Sequence, residues 1–342
     1  MRSNPFQAFF LVFALGFAPS VGAQAPCASR VHTEPGRLSG SLPLQTRIYS
    51  YTGASESRSL ALAARRFDPA LGTLRCVLVR FDLSDGMRHD GGLFAAPSIA
   101  VGLNANVRVT ERLSPPGASP IVFNFFHNQS ITLRPQDMWW NFTIPYPVQN
   151  ATGSTGLITA PSALAQYTGS GNISIPLQCT YVQEVTSTGA GQGAFTALPD
   201  ITATIEYGYD PHASVLSYGT GCVGTGGLSP AIGASSLPVV GNAGFAVTLS
   251  QARPTSAAAL HLGVGPDNVP LGGGCFLLVQ GPLVFLPSVA TDASGAASTP
   301  VPIPADPSLY GQTVHGQYSV VDPLSPIGTL VFSDGLAMLL GT

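Results

Sequence analysis

The sequence predicts an all-β protein built from two β-sandwich-like domains in tandem. Short runs rich in Val, Ile, Thr, Phe and Tyr recur along the chain, and each run is flanked by residues such as Gly, Pro, Asn and Ser. This pattern is typical of antiparallel strands joined by turns. Apolar and polar residues alternate within several runs, for example Gly171–Val182 and Ala203–Tyr207, so each such strand is expected to bury one face.

Composition excludes several classes of function. Charged residues make up 9% of the 342 residues, and all 14 basic residues are Arg. A chain without Lys cannot form a Walker-type phosphate loop or use a Schiff-base lysine. The formal charge of −3 does not favour binding to nucleic acid, so no nucleic-acid partner is predicted. No cofactor is predicted either.

The first 23 residues have the pattern of a secretory signal peptide. Arg2 supplies the positive start, Phe9–Phe17 supplies a short apolar core, and Val21-Gly22-Ala23 offers small residues for cleavage. A short membrane anchor and a lipid-modified Cys27 are the alternatives. The apolar run is too short to span a bilayer, and Gln24-Ala25-Pro26 lacks the usual lipoprotein pattern. We therefore expect a secreted or outer-surface protein whose mature chain has no transmembrane helix.

Export favours disulfides among the five cysteines. Pairing within domains predicts Cys76 with Cys179 and Cys222 with Cys275, and leaves Cys27 over. Spacing alone does not fix the connectivity: Cys27 could replace either member of the first pair, and five free thiols are the alternative. No two cysteines are spaced as CxxC, which argues against structural zinc, and no metal ligand is nominated.

A change in charge marks the predicted domain boundary. Residues 24–212 contain 12 Arg and 12 acidic residues, whereas residues 213–342 contain one Arg and five acidic residues. We predict domains at 24–212 and 213–342, with a linker at Ala213–Gly219. Asp82–Gly92 is predicted as a polar loop whose acids are wrongly spaced for calcium, and Asp292–Gly295 as a hairpin turn.

Three motifs of the first domain occur in order. Arg66–Leu74 reads RFDPALGTL, Tyr167–Ile173 reads YTGSGNI, and Ala203–Tyr209 reads ATIEYGY. They resemble the FDPxLGTL signature, the glycine-rich element and the closing strand of the choice-of-anchor E family of exported bacterial proteins. The resemblance covers roughly residues 40–210. It implies a secreted β domain followed by a surface-sorting tail, and it implies no enzymatic activity.

The second domain departs from that family. It has no Pro-Glu-Pro tail, closing apolar helix or basic terminus. Tyr218–Gly227, Gly241–Ala243 and Phe332–Leu336 instead resemble a C-terminal module that recurs in exported bacterial surface proteins, and its position suggests sorting, attachment or capping. Gly219–Gly224 satisfies GxGxxG, but Gly, Ser and Pro follow it, so a disulfide-pinned loop is predicted in place of a nucleotide site.

The densest aromatic cluster lies around Met138–Phe142. Trp139, Trp140 and Tyr146 are the predicted ligand platform, because exposed rings can stack on sugar faces. No catalytic residue is nominated. We predict a secreted or cell-surface structural or interaction protein without catalytic activity, whose partners are other surface or matrix components, glycans among them. The alternatives are an extracellular carbohydrate-binding module using the aromatic cluster and a secreted hydrolase with an unfamiliar site.

Overall fold

The computed structural model describes residues 28, 30–39, 42–43, 47–48, 51–94, 96, 99–134, 138–325 and 327–342. The predicted signal peptide and Cys27 lie outside the described residues. As predicted, the fold is all-β: the described chain is mostly strand, and its α-helix has seven residues. It divides into two compact units. We call Val31–Pro69 with Leu74–Gly208 the N-terminal unit, and Ala70–Thr73 with Tyr209–Thr342 the C-terminal unit.

The elements of the first part of the chain are β1 (Arg30–Ser39), β2 (Leu42–Pro43), β3 (Arg47–Ile48), β4 (Tyr51–Arg65), β5 (Gly72–Phe94), β6 (Val101–Leu113), β7 (Ile121–Leu133), β8 (Trp139–Pro145), β9 (Gln149–Ser154), α1 (Pro161–Tyr167), β10 (Asn172–Ser187) and β11 (Ala190–Pro211). The RFDPALGTL motif contains a 3₁₀ turn at Pro69–Leu71, between β4 and β5.

Two sheets form the N-terminal unit. Sheet A has the order β1-β11-β5-β8, with β2 and β3 on β11 and with β9 on β5. Sheet B has the order β4-β10-β6-β7. The inward rows of the two sheets meet in one core, because His127 of β7 in sheet B contacts Asp85 of β5 in sheet A. This arrangement is a β-sandwich.

Side-chain alternation builds that core. The alternation predicted for Gly171–Val182 is confirmed: Ile173, Ile175 and Leu177 of β10 are buried, whereas Asn172 and Ser174 are exposed. The inward row of β6 follows the same period of two. Burying a large apolar side chain contributes roughly 1.5–3 kcal/mol, so these rows are the main source of stability.

The strands of the C-terminal unit are β12 (Ser214–Tyr218), β13 (Ala231–Ala234), β14 (Ala246–Ser250), β15 (Ala257–Gly263), β16 (Gly265–Gly272), β17 (Cys275–Gln280), β18 (Val284–Phe285), β19 (Val289–Ala290), β20 (Ala297–Pro300), β21 (Thr313–Ser325), β22 (Gly328–Phe332) and β23 (Gly335–Leu339). They form a sheet of order β12-β23-β21-β15-β18, with β19 on β15 and β22 on β21, and two smaller sheets, β13-β14-β20 and β16-β17. Tyr318 lies in the core, where its hydroxyl donates to the Val247 carbonyl at 2.9 Å.

Three sequence predictions about connections are wrong. The predicted linker Ala213–Gly219 contains β12, which pairs with β23 from Ser214 to Tyr218. The predicted loop Asp82–Gly92 lies inside the continuous strand β5, because β8 and β9 hydrogen-bond to it. Asp292–Gly295 is a turn, but its flanking strands β19 and β20 pair with β15 and β14 and not with each other.

One predicted disulfide is confirmed and the other is wrong. Cys222 and Cys275 are bonded, with Cα atoms 4.7 Å apart, so the GxGxxG segment is the disulfide-pinned loop that was predicted. Cys76 is also disulfide-bonded, whereas Cys179 is a buried free thiol. Cys76 lies on β5 and Cys179 on β10, in different sheets. Because Cys76 is bonded and Cys179 is free, the partner of Cys76 is a different cysteine.

The Cys222–Cys275 bridge is expected to stabilise the C-terminal unit. The two cysteines are separated by 53 residues. The chain-entropy model gives a loop of this size about 4 kcal/mol. Replacing both cysteines with Ala should lower the free energy of unfolding of this unit by a similar amount, measured by calorimetry on the full chain. A double variant as stable as the parent would contradict this expectation. Cys179→Ala is the control, since it removes a buried thiol without removing a bridge.

Candidate ligand-binding surface

Strands β5 and β8 together build a strip on the outer face of sheet A. The register pairs Phe94 with Trp139, Gly92 with Asn141, Asp90 with Thr143 and Arg88 with Pro145. These residues share the outer face, because neighbouring residues of β8 such as Phe142 and Ile144 point into the core. We call the outward side chains the Trp139 strip; its members are Arg88, Asp90, Phe94, Trp139, Asn141 and Thr143.

The indole of Trp139 lies against Gly92 of β5. A Cβ atom added to Gly92 would be 2.3 Å from Cζ2 and 2.8 Å from Cε2 of the indole, so the ring occupies the space that a side chain at Gly92 would need. The indole Nε1 donates to Asn141 Oδ1 at 3.2 Å, which fixes the orientation of the ring. Trp139 remains 47% exposed, and its neighbour Phe94 is 50% exposed. The result is a fixed aromatic surface open to solvent.

A hydrogen-bonded polar group continues the strip away from the indole. Asp90 Oδ1 accepts a hydrogen bond from Thr143 Oγ1 at 2.7 Å, and Asp90 Oδ2 accepts one from Arg88 Nε at 2.8 Å. The Arg88–Asp90 pair balances charge locally and stays accessible. An aromatic surface beside fixed donors and acceptors can stack on an apolar ring face while hydrogen-bonding to hydroxyl groups.

The structure separates the three residues predicted to form one platform. Trp139 points outward, whereas Trp140 is half-buried, with its ring 6.4 Å from that of Phe142. Tyr146 is 5% exposed and packs near the rings of His127 and Phe195, so its place in the platform is a wrong prediction. The period-two geometry of β8 puts residue 139 on one face and residues 140 and 146 on the other.

Sequence reasoning missed the residues that β5 contributes. Arg88, Asp90 and Gly92 were assigned to a loop, and Phe94 was not singled out. Alternation of buried Leu83, Asp85, Met87 and His89 could have indicated a strand, but the two inward-facing ionisable residues hid that signal. The partner strand β8 is far away along the chain, so spacing could not reveal it.

A second group of polar residues is enclosed between the two sheets. His127 Nε2 lies 2.9 Å from Asp85 Oδ2, and Cys179 Sγ lies 4.0 Å from Glu111 Oε1. Tyr181 is fully buried beside them and interacts with Cys179. We call these five residues the interior cluster. Asp85 Oδ1 and Glu111 Oε2 have no hydrogen-bond partner among the described residues.

Burial controls the protonation of three inward-facing groups, Glu111, Cys179 and His89. Burial, reinforced by the Asp85 charge, raises the pKa of Glu111 to about 8, so this carboxyl is protonated at neutral pH. Burial raises the pKa of the Cys179 thiol to about 12, and Glu111 adds to the effect. The thiol therefore lacks the thiolate character of a nucleophile. Burial also lowers the pKa of His89 to about 4; this ring stacks on Phe195 with centroids 4.5 Å apart.

The C-terminal unit contains a serine–histidine contact. His261 Nε2 lies 2.7 Å from Ser319 Oγ, and burial lowers the pKa of the imidazole. His261 Nδ1 has no hydrogen-bond partner in the described part of the chain. A catalytic triad needs a third group that orients the imidazole through this nitrogen. Across the described ranges, no three or more His, Cys, Asp or Glu side chains are grouped so that they could hold a metal ion.

Comparisons with known proteins identify no family. No family model and no curated protein matches the chain. Among solved structures, it is similar to the infectious bursal disease virus Gx strain structure, at 8% identity and a TM-score of 0.21, over 95% of this chain and 47% of that one. It is also similar to red sea bream transglutaminase, at 9% identity and a TM-score of 0.14, over 87% of this chain and 31% of that one. The chain thus spans less than half the length of either structure. Among the described residues, no helix has the length and apolar character needed to cross a membrane.

The raised pKa of Glu111 gives the N-terminal unit a pH-dependent stability. The folded state holds this proton more tightly than the unfolded chain does, so stability should fall as the pH rises from about 4.5 to about 8. A tenfold change in a protonation equilibrium corresponds to about 1.4 kcal/mol. The free energy of unfolding should therefore fall by an amount on the order of a few kcal/mol. Glu111→Gln should remove most of this fall, measured by denaturant unfolding followed through tryptophan fluorescence, since both tryptophans lie in this unit.

Glu184→Gln is the matched control, because Glu184 lies on the outer face of β10 and should leave the fall unchanged. If the stability of the Glu111→Gln variant fell with pH as much as that of the parent, the pH dependence could not be assigned to Glu111.

Proposed function

We propose that the protein is an exported, non-catalytic structural or interaction protein of the cell surface or extracellular matrix. The observation that carries this proposal is the Cys222–Cys275 disulfide, whose two cysteines are buried in the core of the C-terminal unit. Cys76 is disulfide-bonded as well. Structural disulfides persist outside the cytosol and are rare inside it. The signal-peptide pattern of residues 1–23 supports the same conclusion.

The folded units supply what such a role requires. In antiparallel sheets the backbone N–H and C=O groups form hydrogen bonds with neighbouring strands. The Cys222–Cys275 bridge limits how far the C-terminal unit can open. In the N-terminal unit the thiol and the ionisable residues of the interior cluster are closed off from solvent, whereas the aromatic strip faces outward. This division supports a role in contact with other molecules more than a role in chemistry.

Cell fractionation with thiol labelling tests the proposal. The protein should be recovered outside the cytoplasm, and labelling under denaturing, non-reducing conditions should modify Cys179 and leave Cys222 and Cys275 unmodified until a reductant is added. Recovery in the cytoplasm with Cys222 and Cys275 reduced would overturn the proposal.

The Trp139 strip favours glycan binding as a second candidate function. Its indole is held by contact with Gly92 and by a hydrogen bond to Asn141 and remains 47% exposed, so little conformational entropy would be lost when a ligand stacks on it. Asp90 and Thr143 place hydrogen-bonding groups beside the ring. This combination suits a saccharide, which has apolar ring faces and hydroxyl edges.

Two substitutions test glycan binding at the strip, after a glycan array has identified a bound sugar. Trp139→Ala should weaken binding by about tenfold or more, as expected for the loss of a central aromatic contact. Gly92→Ala should also weaken binding while it retains the indole, because the added Cβ displaces the ring. Calorimetric titration provides the measurement.

Phe126→Ala is the matched control, since Phe126 is an aromatic of similar exposure on sheet B. An array without a bound glycan, or an equal loss in Phe126→Ala, would refute binding at the strip.

A further inference from the structure

Sheet B carries a groove at one end of its outer face. Its volume is about 430 Å³, and it is shallow and largely open to solvent. The groove lies where β6 begins and where β7 and β10 end. Its lining residues are Gly102, Leu103, Asn104, Ser130, Ile131, Thr132, Thr186, Ser187 and Thr188.

Gly102 forms the floor of this groove. It pairs with Thr132 of β7 on one side and accepts a hydrogen bond from the Thr188 backbone N–H on the other. A Cβ atom added to Gly102 would be 3.9 Å from Thr188 Oγ1 and would meet nothing closer. The missing side chain therefore leaves a depression between two threonines. We call this feature the Gly102 groove.

Hydroxyl and amide groups lie among apolar atoms in the groove, and none of its lining residues is ionisable. Thr186, Asn104 and Ser130 form one cross-strand row, because the register pairs Asn104 with both neighbours. Thr188 Oγ1 accepts from the Gly102 N–H at 3.0 Å, and Ser187 Oγ accepts from the Gly189 N–H at 3.1 Å, so these hydroxyls have set directions.

This lining determines the class of ligand. A charged group would lose hydration in the groove without meeting an opposite charge, whereas a neutral hydroxyl-rich group could exchange its water hydrogen bonds for those of the lining. We propose that the Gly102 groove binds a sugar unit of a neutral polysaccharide. The site shares no residue with the Trp139 strip and does not depend on glycan binding there.

The sheet face beyond the groove can accommodate further sugar units. Thr110 Oγ1 donates to Asn124 Oδ1 at 3.0 Å, and the Asn128 amide donates to the Asn106 amide oxygen. These polar pairs bridge β6 and β7 along the same outer face, on either side of the exposed Arg108–Phe126 pair. Glu184 of β10 lies beside Asn106 on this face. A polymer that extends from the groove would thus meet polar pairs, an aromatic ring and two charged side chains.

Filling the groove tests the proposal. The parent for the test is the full chain carrying Trp139→Ala, which removes the aromatic strip as a competing site. Cellohexaose, chitohexaose and maltohexaose are the neutral probes, and hexagalacturonate is the charged probe, each titrated calorimetrically at millimolar concentration. At least one neutral probe should bind, and hexagalacturonate should not.

Gly102→Val should then weaken binding of that probe by about tenfold or more, because the added side chain occupies the floor of the groove. The fold should tolerate it, since valine suits a strand and the added Cβ makes no close contact. Gly156→Val is the matched control: Gly156 is exposed, and a Cβ there meets nothing within 4 Å. The proposal fails if no neutral probe binds the parent, or if Gly102→Val binds as well as Gly156→Val with an unchanged melting temperature.

Discussion

The N-terminal unit depends on the register of one long strand. Along β5, Asp85, Met87 and His89 point into the core, whereas Arg88 and Asp90 point to solvent. A shift of one residue would exchange these two sets, because side chains alternate with a period of exactly two. Pairing with β9 over Arg80–Asp85 and with β8 over Arg88–Phe94 holds the register, and the Asp85–His127 contact ties it to sheet B. The same register creates the Trp139 strip and encloses the interior cluster.

Burial of the interior cluster in that core costs free energy, because its polar groups lose their hydration. A buried carboxylate is strongly disfavoured unless it is paired or neutral. The two carboxyl groups meet this requirement differently: Asp85 lies against His127, whereas Glu111 is protonated at neutral pH. Cys179 lies directly across the strand pair from Glu111 and remains a protonated thiol. An apolar core would be easier to desolvate. The cross-sheet contact of Asp85 with His127, however, adds a directional interaction that purely apolar rows lack.

Sequence patterning predicted the fold class well, and it failed where the decisive information was non-local. The alternation of Ile173, Ile175 and Leu177 indicated a half-buried strand, and the structure confirms it. Polar and glycine residues in Asp82–Gly92 masked an equally regular strand, because its inward row includes Asp85 and His89. The disulfide within the C-terminal unit was predicted by pairing cysteines within each predicted domain. The free state of Cys179 depends on which sheet each cysteine enters, and composition carries no information about that choice. Trp139 was found as an aromatic, but its orientation depends on the absence of a side chain at Gly92, 47 residues earlier.

The two proposed saccharide sites lie on opposite outer faces of one sandwich, and this arrangement has a consequence for function. The Trp139 strip belongs to sheet A and the Gly102 groove belongs to sheet B, with the core between them. A single linear glycan chain lying on one face would leave the other face free. Occupation of both sites would therefore link two polymer chains. Weak single sites then suffice, because once one face is engaged the second binding event occurs at a raised effective concentration. Taken together, the two proposals make the N-terminal unit a cross-link between polysaccharide chains. The disulfide of the C-terminal unit fits a component that must stay folded outside the cell. The proposed non-catalytic role fits a component that leaves its ligands intact.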